Sequence, residues 1–267
     1  MNMIKIPRGK IDWAVVEGVI TKFIRDCVKE AQANGVVVGL SGGIDSAVVA
    51  ELCRRALPVN DLHVMLLPYD AQSITDALFM VDNMKLCPDR VRMCNISEAV
   101  DAIARPLFLF EGQKNPLPFA NIMPRVRMTY LYAYANAKKL LVVGTSNRSE
   151  FLTGYFTKYG DGGVDIEPIE ELYKTEVFAF ARHLGIPERI IKKKPSAELY
   201  DGQTDEGELG IKYKTLDRIL QASMDPCISG TSAAEDAVVS LGEVLEVRAR
   251  VGRNRHKREM PPVPGVF

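Results

Sequence analysis

A glycine-rich polar loop follows the first strongly apolar run of the chain. Residues 36–46 read VVVGLSGGIDS, so a predicted strand, Val36 to Leu40, runs through Gly42 and Gly43 into a predicted helix, Ala47 to Ala56. Paired glycines let a backbone approach an oxyanion closely, and the first amides of a helix direct unpaired N–H groups at it. The pattern therefore predicts a site for the phosphates of a nucleotide, with room for a pyrophosphate.

The predicted phosphate loop comprises Gly39, Leu40, Ser41, Gly42, Gly43, Ile44, Asp45 and Ser46. It has neither the Gly-Lys-Ser/Thr ending of a Walker loop nor the G-x-G-x-x-G dinucleotide fingerprint. Asp45 is unexpected, because a carboxylate repels phosphate unless a divalent cation lies between them, and its presence implies Mg²⁺. The alternative is a glycine-rich turn in which Asp45 and Ser46 only cap the helix.

Four short apolar runs, separated by helix-like stretches, predict the elements that position this loop. The runs are Val36 to Leu40, Leu62 to Leu67, Arg90 to Cys94 and Leu140 to Gly144. Apolar residues at nearly every position suit parallel strands covered on both faces, so the fold class is α/β, a doubly wound, Rossmann-like parallel sheet. Ligands bind beyond the carboxyl ends of such strands, so the loops after Leu40, Leu67 and Gly144 should be functional.

Helices are predicted on either side of these strands. Asp12 is placed to cap the first helix, and a glycine-bearing loop follows Gly144 as far as Gly163. Later helices are predicted near Thr175 to Leu184, Glu206 to Met224 and Ala233 to Val251. The sequence shows no internal repeat, so residues 1–267 are predicted to form one domain, with a core at about 11–200 and C-terminal helices and a basic tail at about 203–267.

Bulk composition excludes several classes of protein. Of 267 residues, 47% are hydrophobic, enough for a sizeable core. The formal net charge is zero, so no global basic field would recruit nucleic acid or an anionic membrane. No apolar run approaches the roughly 18 residues of a membrane span, and the N-terminus lacks an apolar signal core. These features predict a cytoplasmic protein with neither a membrane nor a nucleic acid as its partner.

The pattern S-G-G-x-D-S at residues 41–46 resembles the signature of the N-type ATP pyrophosphatase superfamily, which has the adenine nucleotide alpha hydrolase-like fold. The resemblance implies that ATP adenylates a carboxylate or carbonyl oxygen and that AMP and pyrophosphate are released. It leaves the substrate undecided.

Downstream segments resemble one family of that superfamily, the NAD synthetases. The segments are LVVGTSNRSE at 141–150, FTKYGDGGVDIEP at 156–168, LYKTE at 172–176, KKKPSAEL at 192–199 and HKRE at 256–259. Five signatures in order make the resemblance specific, and it extends from the first helix to about Pro262. It implies ATP-dependent amidation of deamido-NAD by ammonia to NAD, with AMP and pyrophosphate, through an adenylated nicotinate carboxylate. This is the last step of NAD biosynthesis.

The resemblance assigns the ATP side of the site. Asp45 and Glu150 would hold Mg²⁺, Lys174 would be catalytic with them, and Thr145, Lys174 and Ser196 would contact the co-substrate ATP together with the phosphate loop. Without the resemblance, Thr145 belongs to an ordinary polar turn, and Glu150 is an acidic residue favoured by a helix dipole.

It also assigns deamido-NAD binding to Arg125, Lys158, Asp165, His256 and Lys257. By charge pattern alone, Arg125 and Arg127 would form a solvated helix face. Residues 158–165 contain three glycines that would let the loop close over a ligand, although an ordinary mobile surface loop is the alternative.

Ammonia supply and assembly are also expectations from the family. Longer members carry an N-terminal glutaminase domain, whereas only about ten residues precede the first helix here, so free ammonia is the expected nitrogen donor. The family is typically a homodimer, and Tyr130, Tyr132 and Tyr134 could form an aromatic interface or pack in the core.

Two other functions compete with this interpretation. A transfer-RNA modifying pyrophosphatase would need a basic surface and often catalytic cysteines, and this neutral chain has five cysteines but no C-x-x-C pair. A non-catalytic ATP-binding module would have no need of both Asp45 and Glu150.

Overall fold

The computed structural model describes residues 11–109, 115–196, 199–200, 202–223 and 230–264. Four parallel strands form its sheet, in the order β3-β2-β1-β4: β1 Val36–Gly39, β2 Leu62–Leu66, β3 Val91–Met93 and β4 Leu141–Val143. The predicted α/β class and parallel sheet are confirmed.

Helices flank this sheet on both faces. They are α1 Trp13–Glu30, α2 Ile44–Ala56, α3 Thr75–Met84, α4 Ser97–Ala104, α5 Leu117–Ala120, α6 Ile122–Lys138, α7 Arg148–Thr153, α8 Lys174–His183, α9 Glu188–Ile191, α10 Asp205–Leu209, α11 Tyr213–Ser223, α12 Gly230–Ala237, α13 Leu241–Arg253 and α14 Arg255–Arg258. Short 3₁₀ helices lie at Val59–Asp61, Pro88–Arg90 and Arg105–Leu107. Asp12 caps α1 as predicted, accepting hydrogen bonds from the amides of Ala14 and Val15.

Strand β1 is buried on both faces, which explains its uninterrupted apolar run. Val36 and Val38 lie in one hydrophobic core with α1, α2 and α8, whereas Val37 lies in a second core with α4 and α6. Alternate residues of a strand point to opposite faces, so a central strand needs apolar side chains at consecutive positions. Tyr130, Tyr132 and Tyr134 pack against the second core.

The prediction of two long C-terminal helices is wrong, because each predicted helix is divided into two in the structure. Gly210 ends α10 with a left-handed backbone, φ 70°, which favours glycine, before α11 begins. Ser240 and Glu243 form a capping box that starts α13 separately from α12. The predicted end of the first long helix, Met224, lies outside the described residues.

A third hydrophobic core joins the C-terminal helices to the rest of the chain. Leu216 of α11 and Val244 of α13 pack with Leu152 of α7 and with Tyr173, the residue before α8. The C-terminal helices therefore support the two helices that follow β4. In the described part of the chain, no helix combines the length and hydropathy that a membrane span requires.

Strand order also fixes where a ligand can lie. From β1 the chain continues through β2 and β3 toward one edge of the sheet, and β4 pairs with the other side of β1. The loops after β1 and β4 therefore diverge and leave a crevice between them at the carboxyl ends of the strands. The predicted phosphate loop and Thr145 both border this switch point.

Candidate active site

The phosphate loop is a tight turn held by its own serines. The amide of Gly43 donates to Ser41 Oγ at 3.2 Å, and Ser46 Oγ donates to the carbonyl of Gly43 at 3.0 Å. Gly42 has a φ of 81°, and a Cβ there would lie 2.8 Å from the amide nitrogen of Ala77. Only glycine therefore fits both the backbone and the close approach of α3.

Asp45 faces away from its own helix, across the crevice. Helix α2 has Gly43 at its N-cap and no side-chain capping bond, so the alternative of a capping role for Asp45 and Ser46 is not what the structure shows. Asp45 Oδ1 accepts from Asn147 Nδ2 at 3.0 Å, and its Oδ2 accepts from Lys174 Nζ at 2.6 Å. The loop after β1 is thus joined to the segments that follow β4.

Lys174 lies at the centre of the site. Its Nζ also donates to Glu150 Oε1 at 3.1 Å, and its side chain is only 2% exposed. Burial by itself lowers the pKa of this lysine, but the charges of Asp45, Glu150 and Asp205 outweigh burial and raise the pKa well above its usual range. The lysine is a fixed ammonium at any physiological pH.

Glu150 lies in the same pocket of negative charge. It is the third residue of a capping box with Asn147: its amide donates to Asn147 Oδ1 at 3.1 Å, and its Oε2 accepts from the Asn147 amide at 3.4 Å. Burial and the nearby Asp45 and Asp205 carboxylates raise the pKa of Glu150 to about 8, against the opposing charge of Lys174. One ammonium therefore faces several carboxylates, and the raised pKa of Glu150 means that a further cation nearby would stabilise its charged form.

Two residues of this centre were missed from the sequence. Asn147 is fully buried and orients Asp45, and its only signal was the N-x-x-E spacing of a helix cap. Asp205, 4% exposed, accepts from Tyr213 OH at 3.0 Å and Tyr155 OH at 3.2 Å. Its place near Lys174 depends on α10 folding back, which no local pattern indicates.

A cavity of about 460 Å³ adjoins these charges, lined by the phosphate loop, the segment after β4 and parts of the C-terminal region. Of the predicted ATP contacts, Thr145 and Ser196 both line it, and Ser196 Oγ donates to the carbonyl of Gln203 at 2.7 Å. The structure therefore brings every predicted ATP contact except Gly42 to the lining of one cavity, Lys174 included.

The predicted deamido-NAD residues are more dispersed. Lys257 lines the cavity, where its Nζ donates to the carbonyls of Gly154 at 2.7 Å and Phe156 at 2.9 Å. Lys158 and His256 lie beside each other outside the cavity lining, and Lys158 Nζ donates to the backbone carbonyl of His256. These contacts tie the basic C-terminal segment to the loop after α7.

Asp165 and Arg125 have contacts of another kind. Asp165 accepts from the amide of Val142 at 2.8 Å and from Tyr132 OH at 2.9 Å, so it bonds strand β4 to α6. Arg125 is exposed, and its neighbour Arg127 lines the cavity and donates from Nε to the Leu67 carbonyl at 3.0 Å. The substrate roles of Asp165 and Arg125 stay predictions.

Close packing explains two glycines of the predicted lid. A Cβ on Gly160 would lie 2.9 Å from Pro124 Cβ, and one on Gly162 would lie 2.6 Å from the ring of Phe156. The absence of a side chain at both positions lets residues 158–165 pack against α6 and the segment after α7, and closure of this loop over a ligand stays a prediction.

Comparison with known proteins decides the family. A sequence model of the NAD synthase family matches residues 16–261. The chain belongs to the NAD synthase family. One similar curated protein is the NH(3)-dependent NAD(+) synthetase of Pyrococcus furiosus, which is 44% identical over 94% of this chain and 95% of that protein. Another is the NH(3)-dependent NAD(+) synthetase of Thermococcus sibiricus, which is 42% identical over 96% of this chain and 99% of that protein.

Solved structures agree with this membership of the NAD synthase family. An NMN synthetase from Francisella tularensis has a TM-score of 0.79 at 32% identity, over 96% of this chain and 100% of that one. An NH3-dependent NAD synthetase from Campylobacter jejuni has a TM-score of 0.78 at 31% identity, with the same coverage. A glutamine-dependent NAD+ synthetase from Acinetobacter baumannii matches over 98% of this chain but only 48% of its own, with a TM-score of 0.65 and 25% identity.

Proposed function

We propose that this NAD synthase family member amidates deamido-NAD with ammonia, consuming ATP and releasing NAD, AMP and pyrophosphate. It is a ligase that forms a C–N bond. The observation that supports the proposal most directly is the contact of Lys174 with Asp45 and Glu150 beside the phosphate loop, in the lining of one cavity.

The chemistry requires activation of a poor electrophile. A carboxylate resists attack by ammonia until one of its oxygens becomes a leaving group. When a carboxylate oxygen attacks the α-phosphorus of ATP, that oxygen becomes the bridging oxygen of an acyl-adenylate. Pyrophosphate is expelled in that step, beside the N-terminus of α2, whose dipole favours an anion. Ammonia then attacks the acyl carbon and AMP leaves. The protein contributes positioning and charge, and it needs no nucleophilic side chain.

Lys174 and the two carboxylates supply complementary parts of that charge. The lysine offsets phosphate charge, because its buried ammonium keeps its proton. Asp45 and Glu150 already converge on one cationic atom, at 2.6 and 3.1 Å. In the part of the chain that the structure describes, no three His, Cys, Asp or Glu side chains form a metal cage. Mg²⁺ is ordinarily held by one or two carboxylates plus substrate phosphates, so this pair fits it.

Mg²⁺ bound by Asp45 and Glu150 would neutralise charge on the phosphates of ATP. The remaining binding assignments are also proposed from the family resemblance. Thr145, Ser196 and the phosphate loop would contact ATP, and Arg125, Lys158, Asp165, His256 and Lys257 would contact deamido-NAD. Because Lys257 lines the cavity and Lys158 and His256 lie outside its lining, a bound dinucleotide would extend from the cavity onto this neighbouring surface.

One assay tests the reaction. Purified protein is incubated with ATP, Mg²⁺, ammonium and deamido-NAD, and chromatography follows NAD, AMP and ADP. We expect NAD and AMP in equal amounts. AMP formed without deamido-NAD would refute the substrate, and ADP would refute adenylation. Asp45→Asn should lose most of the turnover, whereas the matched control Asp82→Asn, at an exposed position of α3, should retain it.

A second candidate substrate is the mononucleotide of nicotinate. The Francisella protein at 32% identity is an NMN synthetase, and the same chemistry on nicotinate mononucleotide would give NMN. We favour deamido-NAD because all the similar curated proteins cited above are NAD(+) synthetases at 42–44% identity. Comparing kcat/KM for the two substrates decides between them, and a higher value for the mononucleotide would overturn our assignment.

The nitrogen donor, assembly and location complete the proposal. Free ammonia is the proposed donor, and turnover on glutamine without ammonium would contradict it. A cytoplasmic homodimer is proposed from the family resemblance, and light scattering in solution tests the dimer. Within a protomer, Tyr132 OH donates to Asp165 and Tyr134 OH is 2.9 Å from His63 Nδ1, so these tyrosines already have structural partners.

A further inference from the structure

Three helices meet beside the catalytic centre at a buried aspartate that the mechanism above does not use. Asp217 of α11 is 1% exposed. One of its oxygens accepts from Ser149 Oγ of α7, and the other accepts from the amide of Thr175 in α8 at 2.8 Å. Asp217 therefore lies where α11 contacts the two helices that carry Glu150 and Lys174.

Ser149 extends this contact to the backbone of Lys174. The Lys174 amide donates to Ser149 Oγ at 2.9 Å, and the Ser149 hydroxyl donates onward to Asp217. Ser149 is fully buried and immediately precedes Glu150. A single hydroxyl thus connects the residue before Glu150 with the first residue of α8, whose side chain bridges Asp45 and Glu150.

The polarity of this network is fixed. Asp217 accepts from the Ser149 hydroxyl and from both the amide and the hydroxyl of Thr175, and it lies at the positive end of the α8 dipole. Burial raises the pKa of Asp217, and the hydrogen bonds from Ser149 and Thr175 oppose that rise. An amide in place of the carboxylate would place its NH₂ group, a donor, opposite at least one of these donors.

We propose that Asp217, acting through Ser149, is a positioning residue that sets where the Lys174 ammonium lies between Asp45 and Glu150. This inference rests on the proposed function, since it assigns Lys174 to the reacting site. Asp217 touches no reacting atom. A displacement of about 1 Å in a catalytic group can cost roughly 100-fold in rate, so small changes at α8 should be visible in kcat.

The test compares Asp217→Asn, Ser149→Ala and the double variant with Ile219→Val. Ile219 is fully buried on the same helix and has no part in the polar network, so its variant controls for loss of stability alone. We expect a fall in kcat of about tenfold to 100-fold for Asp217→Asn, with KM for ATP within about threefold. Ile219→Val should keep kcat within about twofold while lowering the melting temperature.

The double variant decides whether Asp217 acts through Ser149. If it does, the double variant should lose no more kcat than the worse single variant. Multiplied losses, or full kcat in folded Asp217→Asn, would overturn the inference. If Asp217→Asn does not fold, Ser149→Ala alone must still lower kcat at least fivefold for the inference to stand.

A measurement without substrates separates this inference from the proposed reaction. The buried, ion-paired ammonium of Lys174 should give a slowly exchanging ¹⁵N signal in NMR spectra, assigned by its loss in Lys174→Met. We expect this signal to shift or broaden in Asp217→Asn and to stay unchanged in Ile219→Val. An unchanged signal in Asp217→Asn would refute positioning, whether or not the wild type makes NAD.

Discussion

Replacement of Lys174 by methionine tests the electrostatics of the centre most directly. Methionine has a similar length and no charge, so Lys174→Met leaves Asp45 and Glu150 facing each other without their shared cation. Removing one partner of a buried ion pair costs about 3–5 kcal/mol. Because the Asp45 and Glu150 side chains are 17% and 15% exposed, water can reach them, and we expect the lower end, about 3 kcal/mol.

The dependence on pH and on Mg²⁺ gives this prediction its specificity. The pKa of Lys174 is raised above its ordinary value, so its stabilising contribution is fully present below about pH 10 and is lost only at higher pH. The penalty in Lys174→Met should be largest near pH 8 and smaller at pH 5, where protons can neutralise the carboxylates. Mg²⁺ at a concentration ten times its Kd should restore about 1.4 kcal/mol of the free energy of unfolding, if Mg²⁺ binds this pair of carboxylates in the folded protein only.

Urea unfolding of wild type and Lys174→Met at pH 5 and pH 8, with and without Mg²⁺, measures these free energies. The matched control is Lys22→Met, an exposed lysine of α1 whose pair with Asp26 should contribute well under about 1 kcal/mol. Equal stability of Lys174→Met and wild type at pH 8 would refute the reasoning. A penalty that did not change with pH would show that unpaired carboxylates are not its cause.

Three further predictions follow from single contacts. Asn147→Ala should lower the free energy of unfolding by about 1–2 kcal/mol, because the helix cap is lost, and it should lower kcat at least tenfold. Asn147→Ser should recover the stability measured by urea unfolding but not kcat, because serine can cap the helix but is too short to reach Asp45. Gly42→Ala should lower the free energy of unfolding by about 1–3 kcal/mol, because the added methyl group overpacks against α3. It should also weaken ATP binding measured by calorimetry, and an unchanged affinity for ATP would contradict the proposed role of the loop. Burial and the Arg90 charge lower the pKa of His63, so the free energy of unfolding should fall as pH drops below about 6.5. In urea unfolding at pH 5 and pH 8, His63→Gln should show a smaller difference in stability between the two pH values than wild type does.

Much of the fold could be predicted because its signals are local. Strands β1 and β4 are short apolar runs, β2 and β3 are each interrupted by one polar residue, His63 and Arg92, and α1 begins at an aspartate cap that the sequence shows directly. The division of the C-terminal helices was missed because the apolar spacing continued across Gly210 and Ser240. There the backbone conformation and the capping box prevailed over periodicity.

By itself, the sequence determined the glycine-rich turn between β1 and α2, the parallel sheet and the family, since each depends on residues adjacent in the chain or on ordered motifs. Only the tertiary structure decided how the charges of the centre are shared. The ion pair of Lys174 with Asp45 spans 129 positions, and the contact of Ser149 with Asp217 spans 68. A buried polar contact between distant residues has no periodicity and no local propensity. Its partners are chosen when the helices pack and every desolvated donor and acceptor must be satisfied.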